Sequence, residues 1–88
     1  MDAKLIKITG RVQGVGFRYF VKHKALKLGI VGYVKNLDDG SVEVFCQGND
    51  SDLKKFIEYL HKGPFFSCVK NLEINEVPQG EHKEFIII

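Results

Sequence analysis

Tryptophan is absent from this 88-residue chain, methionine occurs once, and cysteine and proline occur twice each. Two cysteines, Cys46 and Cys68, make no disulfide framework and lack the close spacing of a zinc or redox pair. Cys46 alternates with Val42 and Val44, so it reads as a small buried hydrophobe. The histidines, His23, His61 and His82, form no i,i+4 pair, so no metal site and no cofactor are expected. Long apolar runs are also missing. No stretch approaches the length of a membrane span, and the opening MDAKLIKITGRV has no signal-peptide core. Nor is there an excess of one charge: 13 Lys and Arg face 11 Asp and Glu, a net +2. That balance gives no reason to expect a nucleic-acid or membrane partner. A cytoplasmic monomer is the expectation.

What is present is an ordinary globular composition, 44% apolar and 27% charged, which predicts one domain over residues 1–88 with its own core. The order of periodicities is legible. Leu5 to Val12 alternates β-branched and polar residues and predicts a strand, with Arg11 turned to solvent. From Phe17 the period changes. Phe17, Phe20, Val21, Ala25 and Leu28 mark one helical face, Lys22, Lys24 and Lys27 the wet one, and Gly29 the C-terminal stop.

Ile30 to Leu37 predicts a second strand, Asp38 to Ser41 a hairpin turn, and Val42 to Gln47 a third strand. Asn49 to Asp52 offers N-cap candidates for a second helix, whose Leu53, Phe56, Ile57 and Leu60 share a face before Gly63-Pro64 ends it. Val69 to Val77 predicts a fourth strand, broken by Pro78 to Gly80, and Glu84 to Ile88 a short closing segment. The sum is βαββαβ plus a terminal strand. Short loops and right-handed crossovers turn that order into an α+β, ferredoxin-like sandwich: an antiparallel sheet, strands in order 4-1-3-2, with both helices on one face. That order brings the loop after strand 1, the end of strand 2 at Asn36 and the Gly63–Ser67 loop to the same end of the sheet.

One stretch does not read as ordinary loop. Between strand 1 and helix 1 stands Gln13-Gly14-Val15-Gly16-Phe17-Arg18, with two glycines and an arginine where turn-forming polar residues would be usual. A helix N-terminus carries orphan N–H groups and a positive dipole end. Gly14 and Gly16 let such groups converge into a concave nest, and Arg18 can fold a planar cation over it. Phosphate fits that combination. A tight strand–helix turn whose glycines only relieve strain, with Arg18 solvated, is the plainer alternative.

Familiar nucleotide motifs fail here. GxxxxGK[ST] is absent, and GxGxxG meets Tyr19 where its third glycine belongs. An RNA-recognition domain shares the βαββαβ order, but strand 3, VEVFCQ, carries one aromatic where that domain needs several. Tyr19 and Tyr33 read as core or rim residues. Of Phe65 and Phe66, one is expected to cap the core and the other to wall the rim of the site.

GRVQGVGFR (Gly10 to Arg18), GYVKN (Gly32 to Asn36), DDGSVEV (Asp38 to Val44) and GP..S.V (Gly63 to Val69) together resemble the acylphosphatase family over nearly the whole chain. The resemblance implies hydrolysis of the carboxyl–phosphate bond of small acylphosphates. It implies that the backbone of Gln13, Gly14, Val15, Gly16 and Phe17 holds the phosphate together with Arg18, and that Asn36 orients the attacking water. Two departures stand out: Lys35 where the family often has arginine, and the apolar Ile86-Ile87-Ile88 in place of a basic ending.

The chemistry agrees with what the sequence lacks. A carboxylate leaving group has a conjugate acid of pKa ~4 and needs no general acid. No Ser-His-Asp or Cys-His set accompanies the loop, so no covalent intermediate is suggested. A phosphate-binding module without turnover, like the acylphosphatase-like domain of hydrogenase maturation carbamoyltransferases, is the alternative function.

Overall fold

The computed structural model describes residues 1–88. Its elements run β1 (Asp2–Arg11), α1 (Phe17–Leu28), β2 (Val31–Asn36), β3 (Val42–Gly48), α2 (Asp50–Lys62), β4 (Cys68–Glu76) and β5 (Phe85–Ile87). The strands lie in the order β4-β1-β3-β2-β5. The first four pair antiparallel, as the ferredoxin-like pattern requires. β5 differs. It pairs parallel with β2, which makes the five-stranded sheet mixed. Chain reversal through Pro78 to Gly80 sends β5 opposite to β4, and that direction is β2's own.

Alternation along the strands puts Ile6, Ile8, Val34, Val42, Val44 and Cys46 beneath the helices. Against them α1 presents Phe17, Val21 and Ala25, and α2 presents Leu53, Phe56 and Leu60, all buried. The spacings i, i+4, i+8 and i, i+3, i+7 are the reason both segments are helices. Each fully buried aliphatic or aromatic side chain in this layer contributes about 1.5–3 kcal/mol. β5 adds Phe85, which meets Phe56 edge-on with ring centroids 6.2 Å apart. Cys46 is the buried hydrophobe its alternation implies, while Cys68 is exposed. Asn49 takes the N-cap position of α2, yet its side chain makes no cap bond, and Asp50 and Asp52 supply the negative charge of the first turn.

The other sheet face carries no helix. Tyr33 stacks on Phe45 at 5.9 Å, and His82 covers Phe45 at 4.8 Å. The segment bearing His82 is tied down where Gly80 N–H donates to Gln47 Oε1 at 2.9 Å. The single aromatic of β3 is therefore covered, not presented as a stacking platform for bases. No helix is long and apolar enough to cross a membrane.

One irregularity aims the loop after β1. The β1–β3 ladder ends at Ile8–Val42. β1 then continues beside β4 alone, through a register shift at Thr9/Gly10, to Arg11. A Cβ at Gly10 would sit 2.1 Å from the Cys68 carbonyl oxygen, so only glycine allows this approach.

Candidate active site

Residues 12–16 leave the bulged end of β1 and enter α1 through two left-handed glycines, Gly14 (φ 73°) and Gly16 (φ 78°). Alternating left-handed residues turn successive N–H groups to one side of the chain. The first bond of the helix is Phe20 N–H to the Gly16 carbonyl, and no N–H from Gly14 to Tyr19 finds an acceptor in the protein. Gly16 has no side chain to cap the helix, and the first turn of α1 holds no acidic residue. The contrast with α2 is direct, because its first turn carries two aspartates. One helix neutralises its own positive end. The other leaves it open.

Val12, Gly14, Gly16, Phe17, Arg18, Tyr19 and Asn36 line a single pocket of about 140 Å³. The strand order thus brings Asn36 to the glycine loop, as the sequence pattern predicts. Three larger depressions lie elsewhere, one against Pro78 and Gln79, one beside Tyr59 and one beside His82. None of them holds a helix N-terminus or an arginine. No three His, Cys, Asp or Glu side chains converge anywhere to form a metal cluster.

Gln13 and Val15 do not line the pocket. Val15 packs on the core. The Gln13 amide points to the β2–β3 turn, donating to the Leu37 carbonyl at 2.8 Å and the Ser41 carbonyl at 2.9 Å. Arg18 is oriented from the far end of the chain: its Nη1 donates to the Ile88 carbonyl at 3.0 Å. β5 brings that carbonyl into place, with Ile88 N–H bonded to the Val34 carbonyl at 2.9 Å. Nothing local in the sequence announces a backbone carbonyl as a functional group, so sequence reasoning misses it.

One further expectation is corrected. Phe65 and Phe66 pack only edge-on against each other, 5.0 Å between ring centroids, and both are exposed, so neither caps the core. The glycines of the loop are not there for space, since a Cβ at Gly14 or Gly16 would meet nothing within 4 Å. Their requirement is the positive φ alone. Tyr19, read as core or rim, is rim: it lines the pocket while 75% exposed. Lys35 lies on the sheet face away from Asn36, paired with Glu43 at 3.6 Å, so its departure from arginine does not touch the pocket.

Comparison with known proteins bears on the family of the chain. The model of the acylphosphatase family matches residues 4–87. An acylphosphatase of Listeria monocytogenes is 46% identical over 99% of this chain and 96% of its own. The crystal structure of acylphosphatase from Bacillus subtilis superimposes with a TM-score of 0.96 at 43% identity, covering 100% of this chain and 99% of that one. The crystal structure of T. kodakarensis HypF matches at a TM-score of 0.88 and 40% identity, over 100% of this chain but 12% of that one. Loop, helix end, arginine and strand-end asparagine all fall within a match that spans nearly every residue, and the chain belongs to the acylphosphatase family.

Proposed function

We propose that this chain hydrolyses the carboxyl–phosphate bond of small acylphosphates, releasing a carboxylate and inorganic phosphate. The observation that carries the reading is the meeting of three groups in one pocket: unpaired N–H groups of the glycine loop, Arg18 and Asn36. The phosphoryl oxygens accept from the N–H groups at the positive end of α1 and from the Arg18 guanidinium. Asn36 is uncharged and carries both a donor and an acceptor, so it holds a water without competing for the phosphate. That water forms the new P–O bond as the bond to the carboxylate oxygen breaks, and its proton ends on phosphate. Such transfer depends on positioning and charge stabilisation, which these groups supply without a covalent intermediate.

Release of phosphate from acetyl phosphate and benzoyl phosphate by purified protein tests the reading. After dialysis, turnover should persist in excess EDTA. Phosphate binding without turnover would identify a non-catalytic module, and activity restored only by Mg²⁺ or Zn²⁺ would overturn the mechanism.

A further inference from the structure

Past Ile8–Val42 the sheet no longer joins the two halves of the pocket. β1 and β3 stop pairing there, and Val42 is also the residue opposite Asn36 in β2. The glycine loop hangs from the far end of β1, three residues beyond the last rung that Asn36 shares with it through β3. From the glycine loop, one side chain reaches across this gap. Both hydrogens of the Gln13 amide are used, one on the Leu37 carbonyl and one on the Ser41 carbonyl. Leu37 follows Asn36 directly, and Gln13 precedes Gly14 directly.

The turn that Gln13 grips is itself fixed. Leu37 N–H donates to the Ser41 carbonyl at 2.8 Å, and Gly40 N–H donates to the Leu37 carbonyl at 3.2 Å. Ser41 N–H and its hydroxyl both donate to Asp39 Oδ1. Asp39 Oδ2 pairs with Lys7 Nζ at 2.8 Å, which anchors the turn back on β1. Ser41 is buried, and its carbonyl accepts from both the Leu37 N–H and the Gln13 amide.

We infer that Gln13 is a positioning residue that sets the distance between the phosphate cup and Asn36, and so acts on turnover through Asn36 without touching the substrate. This rests on the hydrolytic reading above. The cup is shaped by the φ angles of Gly14 and Gly16, and Arg18 is held by Ile88, so phosphate binding does not depend on the Gln13 side chain. The attack geometry does, because the water-bearing amide and the phosphorus are carried by different elements.

The experiment measures kcat on benzoyl phosphate and the phosphate inhibition constant for the parent, Gln13→Leu, Asn36→Ala and the double variant. Gln13→Leu should lower kcat by ~10–100-fold, the range expected for misplacement by about 1 Å, and leave the inhibition constant within about threefold. On the Asn36→Ala background it should cost no more than about a further twofold, because residues acting through one group are not additive. Independent, multiplying losses would overturn the inference, as would a parallel loss of phosphate affinity or an unchanged kcat.

Gln13→Glu adds a readout that a purely structural role does not move. Ionised, its carboxylate faces two carbonyl oxygens with no hydrogen to donate; protonated, it regains one. Its kcat relative to the parent at the same pH should rise as pH falls from about 7 to about 5, towards the carboxyl range. A flat ratio overturns the inference, and this variant decides the matter if Gln13→Leu does not fold. A parent inactive on acylphosphates at every pH would overturn the hydrolytic reading and the inference with it. An active parent with multiplying losses overturns the inference alone.

Discussion

Arg18 and Ile88 stand 70 positions apart, and the carbonyl of one receives the guanidinium of the other at 3.0 Å. The pairing leaves the remaining donors of the planar fork for an anion in the pocket and removes rotamer freedom that binding would otherwise cost. Deleting Ile88 should therefore reduce kcat/KM by ~10-fold or more through loss of orientation. Ile88→Ala keeps the carbonyl and should stay near the parent. Steady-state kinetics of the two variants decide it: equal activities would show that the contact is incidental.

Arg18 and Asn36 should fail in different ways. Arg18→Gln removes a charge-assisted contact, so rate should fall by ~10²–10³-fold, and phosphate should no longer protect against thermal unfolding. Asn36→Ala should lose turnover to a similar extent while keeping the phosphate inhibition constant, since no phosphate contact is assigned to that amide. Parent-like turnover in Asn36→Ala would make the asparagine a strand-end residue only.

At Gly16 the open space around a built Cβ separates conformation from crowding. A left-handed backbone costs a non-glycine residue roughly 1–2 kcal/mol, and asparagine tolerates it better than alanine or valine. The order of phosphate affinity should then be Gly, Asn, Ala, Val. An affinity order that follows side-chain volume, with alanine above asparagine, would show that crowding governs the loop instead.

Alkaline pH should weaken the fold. Burial pushes the Cys46 thiol from 9.0 up to about 12. Burial first, and then the hydrogen bond to Glu43, push Tyr33 from 10.0 up to about 12. Both groups are held neutral in the folded state and ionise more easily in the unfolded chain. Their contribution is complete below pH 9.0 and is lost as pH rises towards about 12. Denaturation midpoints should fall across that window, and Tyr33→Phe should flatten the part above pH 10.0. An unchanged slope in that variant would remove Tyr33 from the effect.

Much of this protein was legible in its residues because periodicity reports burial directly. Alternation at Ile6 and Ile8, the i, i+4 series Phe17, Val21, Ala25, and the positions of Gly29 and Gly63 define elements without reference to anything distant. The glycine loop was legible for the same reason, since left-handed turns demand glycine locally. Tertiary structure alone decided the rest. The parallel docking of β5 depends on where an unpaired strand edge lies, which no local pattern encodes. Through it Arg18 acquires the Ile88 carbonyl, a backbone group with no sequence signature. Gln13 could be placed in the loop by sequence, but the direction of its amide depends on two carbonyls 24 and 28 residues away. Local propensity chooses the elements, whereas the site is made of contacts between their ends, and those exist only once the sheet has closed.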